Sequence, residues 1–399
     1  MIKIGILKEG KTPVDERVAI PPMLAKHLSH YDNIDVVVQR SNVRRILDSE
    51  YEALGIDMAD SLEDRDVLIG VKEVPIDQLI PNKTYFFFSH TIKMQFYNKD
   101  LLKAIVDKNI TLIDWECLTD VTGNRLIGFG RYAGIVGTYN GFRAIGIREK
   151  LFNLKKAYEC EDHNELEVET KKVKLPPMKI LLTGRGKVAN GSIEVLDEIG
   201  IQRVEVEAFL NESFNTPVYC QITFDEYFKP QNGKVLGESH FFEHPEEYVS
   251  DFMRFAKVAD FFIAGHYWDS QAPYLFTRQD VKQDGFRIKY VADVSCDIDG
   301  PIASTIRPST IDNPLYGYDR ISESETDFMN PNSICVMAVD NLPCELPRDA
   351  SKDFGEMFKR SILPALLNDD KDGIIEGATI VKEGRVTQQY AHLSDWIIG

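Results

Sequence analysis

Met178-Lys179-Ile180-Leu181-Leu182-Thr183-Gly184-Arg185-Gly186-Lys187-Val188-Ala189-Asn190-Gly191 is the stretch on which the reading of the fold turns. An apolar run, closely spaced glycines and a helix-forming stretch follow one another, as in a strand, a tight turn and a helix start. Glycine lets the backbone turn sharply and approach a pyrophosphate, which then rests on the amides at the helix N-terminus. Gly184, Gly186 and Ala189 fit the permitted form of the G-x-G-x-x-G/A pattern. A carboxylate is expected about 20 residues later, at the end of the next strand, to hold ribose hydroxyls. Residues 204–209 read as that strand, and Glu205 and Glu207 stand in it. A glycine turn used only for packing would not need this whole series. The expectation is a nicotinamide dinucleotide, NAD or NADP, held by Gly184, Arg185, Gly186, Lys187, Val188 and Glu207. Arg203 leaves room for a 2′-phosphate.

Before this stretch, residues 2–7, 35–38, 67–71, 84–88 and 111–113 read as strands, and 22–30, 49–54 and 98–108 as helices. Such alternation implies an α/β domain with a largely parallel sheet. Residues 135–154 carry apolar side chains at helical spacing, which suggests a long helix linking two domains. Residues 161–174 are charged and poor in apolar groups, and Pro176-Pro177 follows, so a linker is expected there. Residues 211–247 read as an irregular insertion, 261–264 and 288–294 as further strands, and 348–367 as a last helix.

At 399 residues, two domains are the first expectation, and 43% hydrophobic residues suffice for real cores. The formal net charge of -17 argues against a nucleic-acid partner and means that an anionic substrate must be met by placed arginines. No apolar run reaches the ~18–20 residues of a membrane span. Six scattered cysteines without CxxC spacing support neither a zinc site nor a disulfide framework, so the chain is expected to be cytoplasmic and free of structural metal.

Several polar residues follow apolar runs, where parallel strands end and α/β sites lie. They are Lys72 and Glu73 after residues 67–71, His90 after 84–88, and Glu116 after 111–113; Arg17 lies beyond the first strand. A partly buried lysine can exchange protons near neutrality, as histidine does unaided. An arginine fork suits a carboxylate. Each residue alone has an ordinary reading as a solvated or paired group. Their recurrence at successive strand ends points to one site.

These residues also carry a resemblance. Asp15-Glu16-Arg17-Val18-Ala19-Ile20-Pro21-Pro22 resembles the opening signature of the alanine dehydrogenase and transhydrogenase superfamily. Gly70-Val71-Lys72-Glu73-Val74-Pro75, Phe88-Ser89-His90-Thr91-Ile92-Lys93 and Phe129-Gly130-Arg131-Tyr132-Ala133-Gly134 look like lysine-forming saccharopine dehydrogenase. They are closer still to the lysine–2-oxoglutarate reductase half of the bifunctional lysine-degrading enzyme. Later blocks agree in order, among them Asp293-Val294-Ser295-Cys296-Asp297 and Asp340-Asn341-Leu342-Pro343. The glycine loop departs from the fungal pattern at Thr183 and Ala189.

The resemblance implies Lys72 and His90 as an acid–base pair, Arg17 and Arg125 on carboxylates, and Glu73 and Glu116 setting charge around the amine. It places Asp293 near the nicotinamide ribose or ring. It further implies two Rossmann-like domains with parallel sheets, the first discontinuous (1–135 and 331–399) around a dinucleotide domain (136–330), with the active site in the cleft between them. The expected reaction joins lysine and 2-oxoglutarate into saccharopine, or reverses it. The substrates are small molecules, no membrane is involved, and a homo-oligomer is compatible with this reading. An alanine dehydrogenase-like enzyme and a dinucleotide-binding module without chemistry are the alternatives.

Overall fold

The computed structural model describes residues 1–233 and 237–398. The chain divides into two units, Met1–Phe129 with Pro347–Gly399, and Gly130–Leu346.

In the first unit, β1 (Ile2–Ile6), β2 (Ile34–Gln39), β3 (Asp57–Ala59), β4 (Val67–Lys72), β5 (Thr84–Phe88) and β6 (Thr111–Asp114) pair in parallel in the order β6-β5-β4-β1-β2-β3. The late strands Thr379–Lys382 and Arg385–Val386 extend the β6 edge in antiparallel fashion. The sheet is therefore mixed at its rim and parallel where the polar residues sit. Its central strands are apolar on both faces, as burial on two sides demands. Phe86 and Phe88 join one core cluster with Phe354 and Phe358 of the returning chain. Tyr85 and Phe87 join the other with Leu101, Leu102 and Ile105. Helices α1 (Pro22–Leu28), α2 (Asp48–Glu52) and α3 (Lys99–Asp107) stand within a few residues of the predicted positions.

The second unit begins with α4 (Gly130–Glu149). The predicted long helix is thus present, but it starts earlier and lies inside this unit. Most of its residues are buried, which explains why no polar stripe marks it. The segment expected as a linker folds as α5 (His163–Thr170), capped by Asp162 accepting from the Glu165 amide at 3.0 Å. Leu166 supplies its buried anchor, and Lys155–Glu165 and His163–Glu198 ion pairs hold the charged face. After β7 (Lys179–Thr183) comes α6 (Lys187–Ile199), which starts ahead of the predicted residue 191 because Gly186 serves as its N-cap.

The strand expected at 204–209 is not there. The chain makes a two-residue edge strand β8 (Gln202–Arg203), then helix α7 (Val206–Asn211) with Phe209 buried. The strand that pairs beside β7 is β9 (Val218–Ile222). The predicted insertion at 211–247 contributes β9 and, outside the sheet, β10 (Phe228–Pro230) paired antiparallel with β11 (Tyr248–Ser250); residues 234–236 of it lie outside the described residues. β12 (Phe261–Ala264) and β13 (Tyr290–Asp293) follow, with β14 (Leu315–Asp319), β15 (Ser324–Thr326) and β16 (Ile334–Met337) completing the order β15-β14-β16-β13-β12-β7-β9-β8. β16 pairs in parallel with β13, so the chain is still in this unit past residue 331. The 340–343 block also belongs here: a Cβ on Gly137 of α4 would lie 3.1 Å from Leu342 Cδ1, and Asn140 Nδ2 donates to Glu345 Oε1 at 2.8 Å. The return to the first unit falls at Pro347.

Helices α4 and α6 meet backbone to backbone. A Cβ at Gly134 would lie 1.9 Å from the Val188 carbonyl oxygen, and one at Gly191 would lie 2.0 Å from that of Arg131. Only glycine permits this approach. Gly191→Ala forces the helices apart and should lower stability by about 1–3 kcal/mol, the scale of an overpacked core, as read by urea unfolding. The same change at Gly186, where no heavy atom lies within 4 Å of the added carbon, should cost less.

Candidate active site

In the first unit the strand order reverses between β1 and β4, and ligand crevices form outside the carboxyl ends of strands at such a point. The residue that organises this edge was not singled out in the sequence. Glu9, just past β1, is buried and accepts from the amides of Val71 at 2.7 Å and Lys72 at 2.8 Å. Burial, reinforced by the nearby Asp15 charge, pushes its carboxyl up to about 8.

Arg17 is buried and lies 4.1 Å above the Phe129 ring. Its Nε and Nη2 donate to Asp15 at 2.9 and 2.5 Å, so the open fork expected for a substrate carboxylate is engaged on that side. Burial would raise the Asp15 carboxyl, but Arg17 holds it well below the usual carboxylate range. Lys72, partly buried at the end of β4, is pushed below the usual lysine value by burial first, then by Arg17 and Lys11. Glu73 pairs with Lys11 at 2.5 Å, and its Oε2 is buried with no hydrogen-bond partner among the described residues.

A second group stands at the ends of β5 and β6. Asp114, fully buried, accepts from the Ser89 amide at 3.0 Å, from the Ser89 hydroxyl, and from the Glu116 amide at 2.7 Å. One carboxylate thereby ties down both loops that carry the predicted site residues. His90 has a left-handed backbone (φ 55) and stacks on Phe88 at 6.1 Å. Its Nδ1 lies 3.3 Å from Glu116 Oε2, while Glu116 Oε1 meets Arg125 Nη2 at 3.0 Å and Lys93 Nζ at 3.4 Å. Burial would raise the Glu116 carboxyl, but the His90 contact, Lys93 and Arg125 bring it down to about 2. Lys93 was not among the predicted residues. Lys72 pairs in register with Phe88, so the two groups lie on adjacent strand ends.

In the second unit, Gly184 has φ +94, and a Cβ there would meet the Gly265 carbonyl oxygen at 2.5 Å. Its amide donates to Ile222 O at 2.9 Å, and Gln221 Nε2 donates to its carbonyl at 2.8 Å, so β9 fixes the turn. Gly186 opens onto free space at the start of α6, where the first-turn amides are available to an anion. That space is what a pyrophosphate needs, and the residues fit a dinucleotide. Arg185 and Lys187 are exposed beside it, and Val188 turns inward against α4. Glu207 does not sit at the end of the strand beside β7; it is exposed in the first turn of α7. The carboxylates past the end of β9 are Asp225 and Glu226, the position the ribose rule specifies. Asp293 is fully buried at the end of β13 and accepts from Ser295 Oγ, Cys296 N and Thr305 Oγ1 at 2.6, 3.0 and 2.6 Å. It anchors its own loop at the carboxyl edge of the sheet.

Two parallel-centred α/β units carry polar residues at the carboxyl edges of their sheets. Residues 5–136 match the model of the alanine dehydrogenase/PNT N-terminal domain, and the first unit carries that domain. L-alanine dehydrogenase shares the fold at TM-score 0.67 and 15% identity, covering 99% of this chain and 100% of that one. A transhydrogenase from Sinorhizobium meliloti shares it at TM-score 0.61 and 15% identity, covering 96% and 99%. The chain is 26% identical over 422 residues to the mitochondrial alpha-aminoadipic semialdehyde synthase of Bos taurus, covering 93% of this chain and 46% of that protein. The chain thus spans about half the length of such relatives. It is 25% identical over 383 residues to the NAD(+), L-lysine-forming saccharopine dehydrogenase of Schizosaccharomyces pombe, covering 90% and 91%. No helix among the described residues is long and apolar enough to cross a membrane.

The Glu116 cluster has a pH signature. Its folded value of about 2 lies below the ordinary 4.5, so the unfolded chain binds more protons between them. The stabilisation is complete above about pH 4.5 and fades as pH falls toward about 2. Urea midpoints of the wild type and Glu116→Gln should therefore differ by a constant amount from pH 5 to 7 and converge below. A difference that persists undiminished at pH 2.5 would show that the cluster does not hold Glu116 ionised.

Proposed function

We propose that this chain is a nicotinamide-dependent oxidoreductase that interconverts lysine plus 2-oxoglutarate with saccharopine. The observation that carries the reading is Lys72, partly buried and lowered in pKa at the switch point of the first sheet. The resemblance to saccharopine dehydrogenases along nearly the whole chain adds the substrate class.

The ε-amine of lysine attacks the oxo carbon of 2-oxoglutarate, giving a carbinolamine that loses water to an imine. Attack requires an acceptor for an amine proton, and loss of water requires a donor to the departing hydroxyl. His90, oriented through Nδ1 by Glu116, suits the acceptor role. Lys72, with its ammonium destabilised by burial and by Arg17, suits the donor role. Arg125, exposed and paired with Glu116, suits a substrate carboxylate through its guanidinium, and Arg17 contributes its charge beside Asp15. Glu73, close to Lys72 along the chain, balances charge around the amine together with Glu116. A reduced nicotinamide dinucleotide, held by the Gly184–Gly186 turn at the start of α6, would supply the hydride for reduction of the imine carbon. Asp225 and Glu226 past β9 favour NAD, since a carboxylate there binds ribose hydroxyls and repels a 2′-phosphate.

Lys72→Met keeps the side-chain length and removes the proton donor. With NADH, 2-oxoglutarate and lysine, turnover should fall by about 10²–10⁴-fold, the scale of general acid–base catalysis, while NADH affinity stays nearly unchanged. Ornithine, alanine and ammonia run in parallel test the amine. Wild-type turnover with ammonia but not lysine would replace this reading with an alanine dehydrogenase-like one, and normal turnover by Lys72→Met would remove the proposed mechanism.

A further inference from the structure

The strands that lead to Lys72, His90 and Glu116 border a second cavity at their other ends. Val67, Thr84 and Thr111, the first residues of β4, β5 and β6, pair side by side, and Phe86 pairs with Ile113 two positions further on. Residues two apart on a strand share a face, and this set lines one cavity of about 840 Å³. The returning chain closes the cavity from the other side with Leu366, Ile375 and Thr379. The volume lies within the range of small-molecule sites, roughly 300–1,000 Å³. β5 is five residues long, so roughly 15 Å of sheet separates the cavity from the carboxyl edge.

The rim is charged and accessible. Asp369, Glu376 and Lys382 line it and are exposed, and among the described residues their side chains make no ion pair or hydrogen bond. Asp370 beside them is committed to the fold, since its oxygens accept from the Ile375 and Glu376 amides at 3.0 and 2.7 Å. Acids and a lysine that border one cavity without pairing leave both signs available to a guest. The floor of Val67, Phe86, Ile113, Leu366 and Ile375 is apolar and suits a hydrocarbon chain. We propose that this cavity is a second ligand site and takes an aliphatic diamino acid. The α-carboxylate pairs with Lys382, the two ammonium groups with Asp369 and Glu376, and the methylene chain lies on the floor. A diamino acid carries this balance of one negative and two positive groups, and charge-assisted pairs are the stronger hydrogen bonds. The site lies away from the edge that carries Lys72 and does not depend on the reaction proposed there.

The test follows the methyl NMR signals of Ile113, Leu366 and Ile375 in the full chain, without cofactor or oxo acid, during titration with lysine, norleucine and cadaverine. Lysine should move these signals saturably. Norleucine lacks the second amine and cadaverine the carboxylate, so each should bind about 10-fold more weakly, the scale of one charge-assisted pair. Glu376→Lys should weaken lysine by at least that factor. Lys382→Gln should weaken lysine and leave cadaverine unchanged. Both positions are exposed and outside the catalytic edge, so NADH affinity stays level in both variants. Signals that stay fixed throughout the lysine titration overturn the proposal, and norleucine binding as tightly as lysine overturns the diamino acid. Shifts that vanish in Lys72→Met would trace them to lysine bound at the carboxyl edge and overturn the second site. Saturable shifts in a chain that does not turn lysine over would leave this site standing and remove only the proposed reaction, whereas turnover of lysine with fixed signals would remove only this site.

Discussion

The second unit depends on two glycine contacts between α4 and α6. With the Gly134 Cα side against Val188 and the Gly191 side against Arg131, no side chain separates the two helices. Helices usually pack with axes 8–10 Å apart, set by the side chains between them. Removing those side chains draws α6 onto α4, which itself lies on the sheet with Gly141 facing Phe261 and Ala292. The start of α6 is thereby fixed relative to the ends of β7, β12 and β13. A phosphate-binding turn needs that fixity, because its amides act only where they point.

The carboxyl edges of both sheets share a second constraint. Parallel strands ending at one edge leave amides that need acceptors, and buried carboxylates meet the need. Glu9 takes the amides at the end of β4, Asp114 those of the loops after β5 and β6, and Asp293 that of the loop after β13. None of the three has to touch a ligand to matter. Each fixes a loop whose next polar residue is Lys72, His90, Glu116 or the 295–297 segment. Burial without a full cationic partner raises all three carboxyls.

What was legible in the sequence follows from these constraints. Strands β1, β4, β5 and β6 were read almost to the residue because short apolar runs buried on both faces leave little ambiguity, and the site residues at their ends came with them. The glycine turn was legible because positive φ and close approach restrict residue type. The misreadings arose where tertiary contacts decide. Val204, Val206 and Phe209 are spaced loosely enough to suggest a strand, yet from Val206 on the chain forms a helix whose Phe209 plugs the core. The acidic residue was then sought by counting along the chain, and the count ended before β9 had begun. At 161–174 the charges suggested solvent, but one buried leucine and several ion pairs suffice for a short helix already capped by Asp162. Glu9 escaped notice because its importance lies in burial, which composition does not display.

A chain with net charge -17 repels anions at long range, so any anionic ligand has to be met by local positive charge. The first unit gathers Lys11, Arg17, Lys72, Lys93 and Arg125 at one sheet edge, countered there by Asp15, Glu73 and Glu116. Burial pushes the Glu9 carboxyl up to about 8 and raises that of Asp114 as well, so Glu9 adds little negative charge to this edge at neutral pH. The same cations destabilise the Lys72 ammonium, since Arg17 and Lys11 are among the causes of its lowered pKa. In the proposed reaction, substrate attraction and proton donation therefore draw on one arrangement, and a further ionised carboxylate beside Lys72 would weaken both at once.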